Sequence, residues 1–159
     1  MEGFYSGHST QFKSLSILIL SLTVIVNGTH RKSIWEKEND PSNVIVIDQR
    51  NLPFEFNVFC IDSLEKACFA IEEMIVRGAP LIGITAAYGL YIHSLQLSGD
   101  WSAELKKAGE RLCKCRPTAV NLSWAVSSML NVISAESTLE NAQGHLLSKA
   151  RELYENDIV

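Results

Sequence analysis

The sequence predicts an α+β fold, in which a small three-stranded antiparallel sheet is followed by a helical bundle. Two observations predict it. Between residues 33 and 61, short β-prone runs alternate with clusters of turn-forming residues. After residue 62, apolar residues recur at steps of three and four, which is the period of an amphipathic helix. We therefore expect the strands first and the helices after them.

The three strands are predicted from composition and alternation. Residues 33–37 and 43–49 are β-prone runs separated by a cluster of turn formers, which indicates a hairpin. Residues 55–61 alternate and are rich in aromatic and β-branched side chains, so they form the third strand. Asp48 and Gln49 close the second strand and are candidate polar anchors there.

The first helix has a clear start and a predicted end. Asp62 or Ser63 offers a cap, and Glu65 stands three residues after Asp62, as in a capping box. An apolar stripe follows at helical spacing. We expect the helix to stop at Arg77 and Gly78, with the glycine as its carboxy-terminal cap.

The second helix is predicted to start at Pro80, because the missing proline N–H would be unpaired at a helix start anyway. Residues 81–95 are apolar all round, which indicates a central, buried helix. Residues 99–115 form a more polar amphipathic helix, capped by Asp100 or Ser102.

Two further helices complete the predicted bundle. Thr118 is the candidate cap of a buried helix over residues 119–133. The last helix, over residues 139–157, begins at Ser137 or Thr138.

Size, charge and cysteine spacing narrow the class of protein. The chain has 159 residues, 47% of them apolar and 20% charged, as in a globular domain with a core. The net charge of −4 gives no basic field for nucleic acid. Cys60, Cys68, Cys113 and Cys115 form no C-x-x-C pair, so free, mostly buried thiols in a reducing compartment are expected. Oxidation or metal binding at Cys113 and Cys115 is the alternative.

The first part of the chain differs in composition from the rest. Residues 1–32 form an apolar amino-terminal extension, and the domain is predicted over residues 33–159. The apolar run 15–26 is too short for a usual membrane span, so no membrane partner is expected. A secretory signal over residues 15–28 is one interpretation. A wrongly chosen start in a gene model is the other.

The junction Arg77-Gly78-Ala79-Pro80 is a candidate anion site. A helix amino terminus offers unpaired N–H groups and the positive end of a dipole. Gly78 and Ala79 would let a phosphate approach the backbone, and Arg77 could add a bidentate contact. The alternative is a plain helix–turn–helix with Arg77 in water.

A second junction repeats this arrangement. Arg116 precedes Pro117 at a break before an apolar helix, and the same two interpretations apply. If the two junctions meet, they would suit one polyanionic ligand. No Ser/His/Asp set, phosphate-binding P-loop or dinucleotide fingerprint is present in the sequence. The residues alone indicate a phosphate-binding domain without an evident acid/base pair.

Three blocks, in order and spacing, resemble a known family. Residues 44–56, 74–89 and 116–126 are similar to the amino-terminal region of the methylthioribose-1-phosphate isomerases. That family is related to the regulatory subunits of a translation-initiation guanine nucleotide exchange factor. Asn121 followed by Leu122 favours the isomerases over these relatives.

The resemblance implies a function and a set of site residues. It implies isomerisation of the aldose derivative 5-methylthioribose 1-phosphate to 5-methylthioribulose 1-phosphate in methionine salvage, without a metal or organic cofactor. Arg77, Gly78 and Ala79 match the family's phosphate and substrate contacts, and Arg116 matches the arginine of its second substrate-binding block. A homodimer is implied, in the cytoplasm and, in a eukaryote, also in the nucleus.

The chain departs from this family in two ways. The family's catalytic cysteine and aspartate belong to a larger carboxy-terminal Rossmann-like domain, which the sequence does not reach, and none of the four cysteines matches the catalytic one. Residues 1–32 have no counterpart. We therefore expect an amino-terminal fragment that is inactive alone. The alternative is a non-catalytic regulatory subunit that binds sugar phosphates or nucleotides.

Overall fold

The computed structural model describes residues 17–20, 23–26, 29–38 and 40–156. Within them the chain forms six strands and then five helices. The strands are β1 (Ile17–Leu20), β2 (Thr23–Val26), β3 (Thr29–Lys32), β4 (Ile34–Lys37), β5 (Asp40–Asp48) and β6 (Asn57–Ile61). The helices are α1 (Leu64–Glu72), α2 (Ala79–Ser94), α3 (Trp101–Cys115), α4 (Val120–Val132) and α5 (Leu139–Asn156).

The predicted three-stranded antiparallel sheet is confirmed as β4-β5-β6. Alternate residues of its strands are buried, among them Ile34, Val44 and Ile61, so one face of the sheet packs against the helices. Strand β5 starts at Asp40, inside the cluster of turn formers that was predicted to separate the first two strands. There the Asp40 carboxylate accepts hydrogen bonds from the backbone N–H and the hydroxyl of Ser42. These local bonds stabilise the chain at the start of the strand.

A second antiparallel sheet, in the order β1-β2-β3, lies within residues 1–32, the segment predicted as an apolar amino-terminal extension. Its last strand contacts the rest of the chain. The Arg31 guanidinium lies 5.5 Å from the centroid of the Phe56 ring, and the Lys32 Nζ lies 5.2 Å from that of Tyr154. The secretory signal considered over residues 15–28 falls partly outside the described residues.

Helix α1 starts as predicted and ends early. The Ser63 side chain caps it by accepting a hydrogen bond from the N–H three residues on. The helix ends at Glu72, so the predicted end at Arg77 was wrong. Met74 adopts a positive φ of 56°, which turns the chain inward and buries Ile75 completely. The backbone N–H groups of Met74 and Val76 donate to the Ile71 and Ala70 carbonyls, so this segment is hydrogen-bonded without a further helical turn.

Helix α2 is the centre of the bundle, as predicted. It packs against the other four helices and strand β5, and nearly all of its residues are buried. Pro80 stands in its first turn, as expected. Gly89 lets α1 approach closely, since an added Cβ there would lie 2.7 Å from the Ala67 Cβ.

Helix α3 is capped by Asp100, one of its two predicted caps.

Helix α4 differs from the prediction in its cap and in its burial. Its cap is Ala119, without a side-chain hydrogen bond, so the cap predicted at Thr118 was wrong. The helix is buried on one face only, although its sequence is apolar. Val120 is 79% exposed and Trp124 is 58% exposed. The reason is that these two side chains border a groove rather than another helix.

Helix α5 closes the bundle and ties it to the sheet. The Thr138 hydroxyl caps it by accepting a hydrogen bond from the Asn141 N–H. Thr138 was one of the two predicted caps. The Glu36 carboxylate on β4 accepts two hydrogen bonds from Arg151, at 2.8 and 2.7 Å, and one from the Tyr88 hydroxyl at 3.0 Å. The Arg151 hydrogen bonds lower the pKa of Glu36, so this carboxylate stays charged.

Candidate functional site

The first predicted junction forms the amino-terminal end of α2. Gly78 is the amino-terminal cap of α2, with φ of 90°, so it does not serve as the predicted carboxy-terminal cap of α1. This φ favours glycine. Ala79 is the first helical residue, and both residues are exposed. A Cβ added at Gly78 would meet nothing within 4 Å. No described atom therefore crowds the side of Gly78 on which a side chain would stand.

Arg77 lies on the segment between α1 and α2. Its side chain is exposed, and its Nε donates to the Met74 carbonyl at 3.4 Å. The positive charge of Arg77 reaches Asp48, where it adds to the effects that lower the pKa of that carboxyl. Strand β5 and this segment are joined directly, because the Gln49 N–H donates to the Ile75 carbonyl at 2.9 Å.

Asp48 anchors an arginine that the sequence did not single out. Asp48 is 7% exposed and accepts hydrogen bonds from the Arg50 side chain and backbone, with a shortest contact of 2.7 Å. The Arg50 hydrogen bonds hold the pKa of the Asp48 carboxyl below its usual range. Gln49 is also buried, at 2% exposure, and its side-chain amide finds no protein partner among the described residues. Asp48 is thus the polar anchor that its position at a strand end predicted.

The second predicted junction connects α3 to α4. Arg116 is the residue after α3 and is half-buried. Its carbonyl accepts a hydrogen bond of 3.0 Å from the Ala119 N–H, which closes the turn through Pro117 and Thr118. Helix α4 then starts at Val120, and Asn121 in its first turn is exposed.

The amino-terminal ends of α2 and α4 meet at one groove of ≈ 510 Å³. The two helices approach closely at Gly83, where an added Cβ would lie 3.2 Å from both the Ala125 Cβ and the Asn121 carbonyl oxygen. The groove is lined by residues of α2, α4 and α5, namely Ala79, Pro80, Gly83, Ile84, Val120, Asn121, Trp124, Ala125, Lys149, Glu152, Leu153 and Asn156. The structure therefore brings the first turns of α2 and α4 together.

Of the four predicted site residues, only Ala79 lines this groove. Gly78 caps the helix directly before it. Arg77 and Arg116 stand on the two segments that lead into α2 and α4, outside the lining itself. Neither arginine side chain is among the residues that line the groove.

The walls of the groove combine an electropositive part with an apolar part. The starts of α2 and α4 contribute the positive ends of two helix dipoles. On the wall formed by α5, the Lys149 Nζ lies 2.7 Å from the Glu152 carboxylate, so these two charges largely offset each other. Trp124, Val120 and Ile84 supply the apolar part. The arrangement suits a ligand with an anionic end and an apolar end.

Sequence reasoning missed the α5 wall. Lys149 and Glu152 look like an ordinary ion pair on a helix surface, and nothing in their spacing points to a groove. Trp124 was missed for a different reason, because it was assigned to a buried helix. Its exposure follows from the groove, which the sequence does not reveal.

Two further features concern metal ions and membranes. In the part of the chain that the structure describes, no group of three or more His, Cys, Asp or Glu side chains is placed to hold a metal ion. Among the same residues, no helix has both the length and the apolar character needed to cross a membrane.

Comparison with known proteins decides the family. The profile of the Initiation factor 2 subunit family matches residues 75–159, which include both junctions and the groove. The chain belongs to this family. The match covers more than half of the chain.

Relatives named methylthioribose-1-phosphate isomerase support the resemblance seen in the sequence. The isomerase of Desulfatibacillum aliphaticivorans is 40% identical over 135 residues, which is 84% of this chain and 37% of that protein. The isomerase of Synechocystis sp. is 38% identical over 139 residues, covering 84% of this chain and 40% of the relative. The chain thus spans well under half the length of these curated relatives.

Solved structures confirm the fold. The 5-methylthioribose 1-phosphate isomerase of Pyrococcus horikoshii superposes with a TM-score of 0.73 at 31% identity, covering 79% of this chain and 36% of that one. The translation initiation factor eIF-2B subunit delta of A. fulgidus superposes with a TM-score of 0.71 at 30% identity, covering 79% and 37%. The predicted α+β arrangement is therefore shared by two differently named members of the family.

Proposed function

We propose that this chain is the amino-terminal, substrate-binding part of a methylthioribose-1-phosphate isomerase, which converts an aldose 1-phosphate derivative to the ketose in methionine salvage. The observation that carries the proposal is the groove at which the starts of α2 and α4 meet. Relatives with that name, at about 40% identity, support the same conclusion. A sugar phosphate is the small-molecule partner, and a cytoplasmic homodimer belongs to the same proposal.

The groove suits the two ends of this substrate. The phosphate would accept hydrogen bonds from the backbone N–H groups at Gly78 and Ala79, because no side chain blocks the approach there. Arg77 and Arg116 would add charge-assisted contacts from the adjoining segments. The apolar methylthio end would lie against Trp124 on the other wall.

We propose further that these residues bind the substrate without converting it. The phosphate ester at C1 blocks ring opening to a free aldehyde, so isomerisation needs groups that assist proton or hydride transfer between C1 and C2. Lys149 and Glu152 in the groove are engaged with each other. Burial raises the pKa of the Cys68 and Cys115 thiols, which disfavours a reactive thiolate at either one. The catalytic groups would therefore come from the part of the relatives that this chain does not span.

A regulatory role is the second candidate function. The superposition on eIF-2B subunit delta is nearly as close as that on the isomerase, so shape alone favours neither. In that case the groove would bind a sugar phosphate or nucleotide as a signal. Asn121 and Leu122 favour the isomerase.

Amide mapping by NMR tests the proposal. The ¹⁵N-labelled chain is titrated with 5-methylthioribose 1-phosphate and, separately, with guanosine diphosphate. The isomerase proposal predicts that the sugar phosphate shifts the amide signals of Gly78, Ala79 and Asn121, with little effect from the nucleotide. Stronger shifts with the nucleotide would favour the regulatory role.

The same samples test catalysis. Carbon NMR of the sugar phosphate distinguishes the aldose from the ketose. We expect binding without accumulation of the ketose. Ketose formed by the purified chain would contradict the statement that these residues lack the catalytic groups. An absence of shifts with either ligand would contradict both functions.

A further inference from the structure

Helices α1 and α3 lie side by side and run in the same direction. A salt bridge joins them, with the Arg111 Nη1 2.8 Å from the Glu65 Oε1. The contacts of Gly89 in α2 show how the two helices are aligned along their length. A Cβ added there would lie 2.7 Å from the Ala67 Cβ and 3.9 Å from the Leu112 Cδ2, so these two residues stand at about the same level.

One helical turn beyond the salt bridge, each helix carries a cysteine. Cys68 follows Glu65 by three residues, and Cys115 follows Arg111 by four, so each cysteine lies on the same face as its helix's bridging residue. The two thiols therefore face each other between α1 and α3. In agreement, they are close enough for each to perturb the pKa of the other, although burial has the larger effect on both.

The two thiols differ in access. Cys68 is 3% exposed, within the core. Cys115 is half-buried at the last turn of α3, where its Sγ donates to the Arg111 carbonyl at 3.4 Å. A small reagent can therefore reach Cys115 first.

The other two cysteines are placed differently. Cys60 lies on strand β6, where its Sγ donates to the Asn43 Oδ1 at 3.8 Å. Cys113 precedes Cys115 by two residues, so it lies on nearly the opposite side of α3, and it lines a separate cavity between α3 and α4. Only Cys68 and Cys115 face each other across a helix pair.

We propose that Cys68 and Cys115 form a modification site, at which a reversible disulfide links α1 to α3. All four cysteines are free thiols in the structure. The disulfide would hold the end of α3 directly before Arg116 and the turn to α4. It would thus fix the segment that leads into α4, whose first turn lines the groove.

The oxidant is a small organic disulfide, and the exchange balances in two steps. The Cys115 thiolate attacks one reagent sulfur, forming a mixed disulfide and releasing one reagent thiolate. The Cys68 thiolate then attacks the Cys115 sulfur, which closes the protein disulfide and releases the second reagent thiolate. The protons of the two cysteines end on the two released thiols. The protein loses two electrons and the reagent gains them.

Oxidation followed by peptide mapping tests the proposal. The chain is incubated with excess 2-hydroxyethyl disulfide for a long period, because burial keeps the thiols protonated and the exchange slow. Remaining thiols are then alkylated, and linked peptides are identified by mass spectrometry. We expect one intramolecular link, between Cys68 and Cys115, with the loss of two hydrogen atoms in mass.

Variants and melting give independent readouts. The Cys113→Ser variant should form the same link, whereas Cys68→Ser and Cys115→Ser should not. The oxidised wild-type chain should melt at a higher temperature than the reduced chain, because the link restricts the unfolded state, and a reductant should reverse the shift. A wild-type map with no intramolecular link, or with Cys60 or Cys113 linked instead, would overturn the proposal. This outcome does not depend on the variants folding.

Discussion

Replacement of Gly89 by alanine tests the packing of α1 on α2. The new Cβ would lie 2.7 Å from the Ala67 Cβ, whereas carbon atoms pack at about 3.5–4.0 Å. Both atoms are fixed to helical backbone, so no side-chain rotation relieves the clash and the two helices must separate by about 1 Å. Such overpacking costs about 1–3 kcal/mol.

A matched control separates this clash from helix propensity. Glycine to alanine inside a helix gains about 1 kcal/mol wherever the new methyl group fits. Gly144 in α5 provides that case, because an added Cβ there meets nothing within 4 Å. We therefore expect Gly89→Ala to be about 1–3 kcal/mol less stable than Gly144→Ala.

Urea unfolding followed by circular dichroism measures this difference. The midpoint of Gly144→Ala should rise above that of the wild-type chain, and the midpoint of Gly89→Ala should fall below that of Gly144→Ala with a similar slope. Equal stability of the two variants would refute the close approach of α1 and α2 at Gly89.

Three further predictions concern a cap, an ion pair and the groove. Asp100→Ala should destabilise the chain by about 0.5–2 kcal/mol in urea unfolding, because it removes the side-chain cap of α3. The pKa of Glu36 is lowered from its ordinary 4.5, so its stabilising effect is present above that pH and is lost as the pH falls through the folded-state pKa. The melting temperature of the wild-type chain should therefore fall more steeply below pH 4.5 than that of Glu36→Gln. Parallel falls in the two melting temperatures would contradict the role of the ion pair. Trp124→Ala should weaken sugar-phosphate binding in calorimetry with little change in melting temperature, because Trp124 is 58% exposed and packs little in the free chain. A large loss of stability would instead assign it to the core.

Local patterns predicted much of the fold. The alternation of β4, β5 and β6 and the caps at Ser63, Asp100 and Thr138 depend on neighbouring residues, which the sequence displays directly. The burial of α2 also follows from its composition.

The predictions that were wrong depend on distant contacts. Helix α1 ends at Glu72 because Ile75 turns inward and its carbonyl binds the Gln49 N–H of another element. The apolar side chain of Trp124 stays exposed because α4 borders the groove. Neither contact leaves a local signal in the chain.

The candidate site was predicted in part. The two junctions were recognised because each places an arginine and a proline before a helix, which is a local pattern. That the first turns of α2 and α4 share one groove depends on the close packing of the two helices at Gly83. The contribution of Lys149 depends on where α5 packs, and spacing along the chain does not determine that.

The most direct test of the central claim is a calorimetric titration with 5-methylthioribose 1-phosphate. Arg77→Ala and Arg116→Ala each remove one charged hydrogen-bond donor from the segments that lead into α2 and α4, and each should weaken binding by about 1.5–3 kcal/mol. Lys107→Ala is the control, because it removes the same charge from a surface pair with Glu104 on α3 and should leave the affinity unchanged. Unchanged affinity in both arginine variants, or an equal loss in the control, would contradict a sugar-phosphate site at these junctions.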